Sequence, residues 1–441
     1  MANGKKRLAL LLSSVLLTSC SLSGNSSSTG SDSASSGSSD TTGSSNTSVS
    51  TSSGTGSISG TYKESSSSSI TFMSTNSGAG TATETLSGRY VITGDCVVDG
   101  GTWESTTGNQ AVFLVVNGGS LTISNATINK SGTPSSVGDD QNFYGLNSAV
   151  VAAGSTAKIT MDNCMVNVTS AGSNAIFSGA GAAITVNETT IANTGSGNSR
   201  GLHATYGGSI IATYMDISTS GTNSASVATD RGGGDVTISG SESSPCTLKT
   251  TGNDSPCLYS TGTIIASYCE GSAESAQAMV IEGSNEIKVS NCTLTGKNRS
   301  SSYSCDWGAI MLYQSMSNDS VGGEPIVEII NSTITNSDSS SPMFYVTNAL
   351  ATVYLDNATL DNTSGNGEFL DTTTTRWTST NETFKIYLIS ETLGNQTINL
   401  ANSSTSKLYS YSYESSVSWT NTGSGSIKEN TTLSSAPSLP L

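Results

Sequence analysis

Ile287-Lys-Val-Ser-Asn-Cys-Thr-Leu294 carries the pattern that decides the fold: apolar, any, apolar, any, often Asn, any, any, apolar. The phrase opens nine times, at Leu121, Ile159, Ile184, Ile210, Val236, Ile264, Ile287, Val327 and Val353. Successive openings are 38, 25, 26, 26, 28, 23, 40 and 26 residues apart. Six steps sit near one period, and the two long ones are that period plus an insertion. A fixed period of this size means stacked units that bury a core only by lying on one another.

The first and third positions are apolar with a polar residue between, the period-2 alternation of a half-buried strand. The fifth is Asn at Asn125, Asn163, Asn291, Asn331 and Asn357. Asn tolerates left-handed dihedrals and bonds local backbone, so it suits a sharp bend between two short strands. The eighth position opens the next strand. A further apolar run follows in most units, such as Ala175-Ile-Phe177, Gly201-Leu-His-Ala204 and Ala309-Ile-Met-Leu312. Three short strands per period with polar corners predict an all-β fold, a single-stranded right-handed parallel β-helix (solenoid) of about ten coils with terminal caps. A leucine-rich repeat lacks its Leu spacing and helical half here, and a propeller would need longer blades.

The first residues carry Lys5-Lys6-Arg7, an apolar stretch from Leu8 to Leu17, then Leu17-Thr18-Ser19-Cys20. These are the parts of an export signal, too short to span a bilayer. The ending resembles the bacterial lipobox, which implies cleavage before Cys20 and acylation of that cysteine. From Ser21 to about Gly60 the chain is almost only Ser, Gly, Thr, Asn and Ala, a composition that cannot offset ordering entropy. The expected domains are a lipoprotein signal peptide at 1–19, a flexible tether at 20–60, the β-helix at 61–405 and a C-terminal cap or tail at 406–441.

Loss of residues 1–19 leaves 14 basic against 33 acidic residues, a balance of −19. That charge argues against nucleic acid and anionic lipid as partners, leaving the N-terminal lipid as the only membrane contact. With 11% of residues charged, the surface is rich in hydroxyls and amides, which suits both stacked β-coils and neutral glycans. Seven cysteines follow Cys20, and their spacing lacks the paired CxxC of a zinc site. Cys269 and Cys292 fall at the same offset in consecutive turns, about 4.8 Å apart, within the Cα window of a disulfide. A column of small buried residues is the alternative, since Ala126, Cys164, Ser332 and Ala358 share that offset.

The architecture resembles the pectin-lyase-like superfamily, and lipobox plus repeat looks like the adhesin-like β-helix lipoproteins of bacterial surfaces. The resemblance covers about residues 85–400 and specifies fold far more than activity. Galacturonan hydrolases of that fold carry Gly-His-Gly and Arg-Ile-Lys signatures, both absent here, and Asp139-Asp140 in a Gly/Ser loop reads as a solvated turn. Lyases need acid-held calcium and a basic residue. The nearest match is Asp230-Arg231-Gly-Gly-Gly234 with Asp235, where both Asp could hold Ca2+ while Arg231 faces a uronate. The bland reading pairs Arg231 with Asp230 beside a tight corner. His203, the only histidine, sits at the offset of Phe177 and Val280 and is expected to be a wall position.

Two insertions, about Lys130 to Tyr144 and Ser300 to Glu324, supply aromatic rings beside amides and acids: Tyr144, Tyr303, Asp306, Trp307 and Tyr313. Extra loops of solenoids tend to gather on one face and carry binding, and rings beside polar groups suit a sugar. Past Leu400 the repeat fades, and Tyr409, Tyr411, Tyr413 and Trp419 are expected to cover the open end. The expected function is a lipid-anchored bacterial surface protein presenting a rigid β-helix for adhesion or glycan binding, its partner a surface glycan or a ligand on a host or neighbouring cell. The alternatives are a polysaccharide lyase or glycoside hydrolase, and a structural spacer.

Overall fold

The structure, a computed structural model, describes residues 47–51, 54–74, 79–297, 307–315, 319–372, 382–400 and 405–440. Its strands form one sheet of 27 and another of 10. The larger sheet bends into two walls because strand Thr81–Asp99 starts both of them. Its Ser87–Ile92 portion lies beside Gln110–Val115, opening the first wall, and Asp95–Asp99 lies beside Ser120–Ser124, opening the second. The ten-stranded sheet, from Thr102–Ser105 to Thr359–Asp361, is the third wall. From Thr81–Asp99 onward the strands within every wall are parallel, so this part of the chain is an all-β solenoid wound almost closed around its core.

The repeat phrase is the register of this winding. All nine openings, Leu121 to Val353, stand side by side in the second wall, each paired with the next. None is more than 2% exposed. Cys96 precedes them in the same ladder and Ile386 follows, two rungs the phrase does not reveal. The third positions, from Ile123 to Leu355, make a second internal ladder, and the eighth positions face the same core from the third wall. Each fully buried aliphatic contributes about 1.5–3 kcal/mol relative to exposure, so the ladders supply the main driving force.

The fifth position turns the corner between second and third walls, and it does so in the left-handed region. Asn125, Asn163, Asn291, Asn331 and Asn357 all have φ between 46° and 55°. Glu188, Tyr214 and Tyr268 adopt the same conformation at φ 45°, 54° and 50°, without the tolerance that Asn has for it. Asn adds a second advantage, because its amide bonds its equivalent one coil away: Asn163 Nδ2 donates to Asn125 Oδ1 at 2.8 Å, as does Asn357 to Asn331.

Both ends of the rod differ from the sequence boundaries. Strand Gly54–Met73 begins inside the expected tether and runs antiparallel along Thr81–Asp99, covering the first edge. At the other end the walls continue past residue 405 through Lys407–Tyr413, Ser416–Asn421 and Ser426–Thr432. The hydropathy signal fades there because Ser410 and Ser412 occupy inward positions while Tyr409, Tyr411 and Tyr413 point out. Pairing persists where apolar patterning does not. Trp419, packed edge-on against Phe369 at 5.2 Å, lies against the end of the core. Glu188→Asn is expected to raise stability by about 0.5–1 kcal/mol by relieving the left-handed strain and extending the Asn125–Asn163 ladder. Guanidinium unfolding followed by circular dichroism measures it, and an unchanged or lower midpoint would count against the corner account.

Candidate functional site

In the first wall the inward residues, such as Ile176, Leu202, Leu258 and Ile310, belong to the main core. The outward column runs Phe177, His203, Ala228, Tyr259, Val280, Met311, Tyr345. On a bare solenoid these would meet water. Instead Phe177, His203 and Ala228 are fully buried, and Val280, Met311 and Tyr345 nearly so. Two outer apolar clusters cover them. One joins Phe177 to Phe143 and Tyr144 of the first insertion and to Tyr206, whose ring stacks on Tyr144 at 5.7 Å. The other joins Val280, Met311 and Tyr345 to Trp307 and Tyr313 of the second.

A polar cluster fills the gap between them. The Arg200 guanidinium donates to Asp230 Oδ2 at 2.5 Å and to His203 Nε2 at 2.8 Å, and lies over the Tyr259 ring at 5.5 Å. Accepting at Nε2 assigns the imidazole proton to Nδ1, which has no hydrogen-bond partner among the described residues. Burial, with Arg200 beside it, holds His203 well below its ordinary value, hence neutral. Tyr259 and Tyr313 both donate to Glu282 Oε2, at 2.9 and 2.6 Å, and Ser315 donates to Oε1. Burial still pushes the Glu282 carboxyl above the usual range, because the wall and the insertions packed over it replace its water. Arg231 fastens the two insertions together: its guanidinium lies 3.7 Å over the Phe143 ring and its Nη2 bonds Asp319 at 2.6 Å. The cluster therefore behaves as a rivet of compensated charges rather than an open cleft.

The sequence candidates separate accordingly. Asp230 and Arg231 enter the rivet, although Arg231 pairs with Asp319 and Asp230 with Arg200. Asp235 does not join them: it is exposed in the second wall beside Ser209 and Thr263, so the two carboxylates of the alternative calcium reading are split across a corner. Among the described residues no three acids, cysteines or histidines gather to hold a metal ion. Tyr144, Trp307 and Tyr313 are under a tenth exposed, their rings engaged in packing. His203 is a wall residue, as its offset implies, facing the outer layer. Tyr303, Asp306 and Cys20 lie outside the described residues. Cys269 and Cys292 are adjacent in the corner column but are free thiols here, not a disulfide. Neither spacing nor motif links Arg200, Tyr259 and Asp319 in the sequence, and Glu282 stands there only as one of several acids of a negative stretch.

A second concentration lies open on the second wall, where Tyr354, Tyr387 and Tyr411 occupy one outward column. Their rings stack face to face at 4.7 and 4.9 Å, inclined by only 7° and 20°. All three are partly exposed, as are their neighbours Tyr409 and Tyr413. Lys385, beside them, bonds Glu324 at 2.9 Å, and the Tyr411 hydroxyl donates to Glu429, which raises its pKa to about 12. With ring faces turned to one another, edges and hydroxyls are what this column offers a ligand.

Compared with family models, curated proteins and solved structures, the chain matches none of them. Its function is therefore argued from geometry. The rivet makes a pH prediction. Glu282 has a folded pKa raised above the unfolded value near 4.5, so its native state favours the proton. Stability from this group is full below that value and declines as pH rises through the folded pKa. Glu282→Gln should flatten the decline, so the variant gains relative to wild type as pH rises above about 4.5 in thermal melts. A difference independent of pH would show the carboxyl ionised throughout.

Proposed function

We propose that this is an exported, lipid-anchored bacterial surface protein whose rod presents a binding face to a neutral, linear glycan on its own or a neighbouring cell. In this reading the rod is a right-handed parallel β-helix of about ten coils, of the pectin-lyase-like type. The hand agrees with the strong preference of parallel crossovers, and the basic, apolar and Leu17-Thr-Ser-Cys20 segments support export and acylation.

The observation that carries the binding reading is the column Tyr354–Tyr387–Tyr411. Stacking immobilises the rings before any ligand arrives, which lowers the entropy cost of association. Phenol hydroxyls then project at the coil spacing of about 4.8 Å along the rod, a comb able to hydrogen-bond successive hydroxyls of an extended saccharide. The acidic surface balance favours a neutral polymer over a polyuronate. The enzymatic alternative draws on one specific feature, a buried Glu282 whose pKa burial raises, linked through Tyr259 to the ionic Arg200–Asp230 pair. That constellation is closed and its charges are already paired, so binding without turnover is the better-supported reading.

Glycan-array screening of the full chain, with and without calcium, should yield saccharide binding and no depolymerised product. Tyr387→Phe, which keeps the stack and removes one hydroxyl, is expected to weaken binding about 5- to 10-fold, the worth of about 1–1.5 kcal/mol per hydrogen bond. Unaltered affinity in that variant would remove the column from the site, and release of oligosaccharides would favour the enzyme. Export with acylation predicts a mature chain that starts at lipid-modified Cys20 and becomes soluble as Cys20→Ala. Intact-mass measurement of the membrane fraction decides it.

A further inference from the structure

The corner after each left-handed residue holds a column that the glycan reading leaves unused. In this column stand Ala126, Cys164, Thr189, Met215, Cys246, Cys269, Cys292, Ser332 and Ala358, with Cys246 brought in by its register with Cys269. Where polar, these side chains link the coils. Thr189 and Ser332 each accept the N–H of the preceding coil's corner residue and donate to the carbonyl two residues back. Four successive coils instead carry sulfur, from Met215 to Cys292. Cys246 pairs in register with Cys269, and Cys292 follows one strand on, since Glu270 pairs with Thr293. All four are within 2% of complete burial, inside the main core.

We propose that this column is a binding site for one soft monovalent d10 cation of the Cu(I) or Ag(I) class, held as a linear dithiolate between Cys269 and a neighbouring cysteine. Three features select that chemistry. Thiolates with a thioether alongside favour such ions over zinc or calcium. The third cysteine of the column lies one coil further on, in line with the pair rather than around it, and no three acids, cysteines or histidines are grouped to hold an ion among the described residues, which suits two-coordination and not a tetrahedral site. Spacing agrees as well. Thiols carried on neighbouring coils about 4.8 Å apart face each other closely enough to share one ion. A disulfide would have to draw the same Cβ atoms to about 3.8 Å, pinching two strands whose hydrogen bonds set them further apart.

The Met215 N–H donates to Cys246 Sγ at 3.2 Å, a contact that favours negative charge on that sulfur. A cleft of about 370 Å³ reaches the column, lined by Cys269, Cys292, Tyr268 and Asn291, with Glu242 and Glu270 as its only charged groups. Those carboxylates favour entry of a cation. Binding consumes the ion and two cysteine side chains, forms two metal–sulfur bonds and releases to solvent each proton the thiols still carry. No electron moves, and affinity rises with pH.

The test uses the full chain purified under reducing, oxygen-free conditions and titrated with Ag(I), or with Cu(I) delivered from a chelator of known affinity. Native mass spectrometry should find one ion per chain, undisplaced by excess Zn(II). Cys269→Ser should weaken binding at least about 100-fold, because Cys269 belongs to both adjacent pairs, whereas Cys246→Ser and Cys292→Ser each retain a pair. Serine occupies this offset natively at Ser332, so folding of the variant is expected and circular dichroism verifies it. Undiminished binding in folded Cys269→Ser would overturn the proposal. So would a reduced chain that binds no ion, or one lighter by two hydrogens with Cys269 linked to a neighbour after gentle aeration.

Discussion

Parallel strands of successive coils can share hydrogen bonds only if each coil returns to the same register, and every other feature of this molecule follows from that return. A one-residue slip would turn a coil's whole aliphatic set towards water. The ladder from Cys96 to Ile386 prevents this by placing a branched or aliphatic side chain at the same point of almost every coil. The left-handed corner meets the same demand geometrically, since it redirects the backbone at a fixed place. Insertions are tolerated because they leave the winding and rejoin it without changing the phase.

The internal ladders were legible because burial on one face of a strand writes a period-2 pattern, and stacking repeats it. The outer layer was not. Phe177, Val280 and Met311 look like extra apolar residues of a wall strand, and nothing local announces that another segment covers them. Pairings such as Arg231 with Asp319, 88 residues apart, leave no mark on spacing at all. Reading Asp230, Arg231 and Asp235 as one motif failed for a related reason. Proximity in sequence across a solenoid corner puts residues on different walls. The last coils were missed in the opposite way, with serine inside and tyrosine outside reversing the usual signal.

The two surfaces of interest illustrate complementary uses of stacking. Where aromatic residues recur on an open wall, as in Tyr354, Tyr387 and Tyr411, the repeat orders them into a preformed array without any additional scaffold. Where sulfur recurs at a buried corner, the repeat brings together residues 23 apart in sequence, Cys246, Cys269 and Cys292, at one strand spacing. Neither arrangement needs a dedicated loop. A solenoid can acquire either by single substitutions at one offset, which is why such sites carry no contiguous motif.

The two ends of the rod are unequal. Near its start a strand of 20 residues lies antiparallel along the 19-residue strand that opens both walls, while Ser426–Thr432 pairs, among the described residues, with Lys407–Tyr413 alone and has most of its side chains in solvent. Melting of a nearest-neighbour stack begins where fewest contacts must break. Loosening should therefore travel from the carboxyl end backwards, peeling one turn at a time. Tension entering through the amino end would meet the long hairpin loaded lengthwise, the direction in which many bonds must yield together.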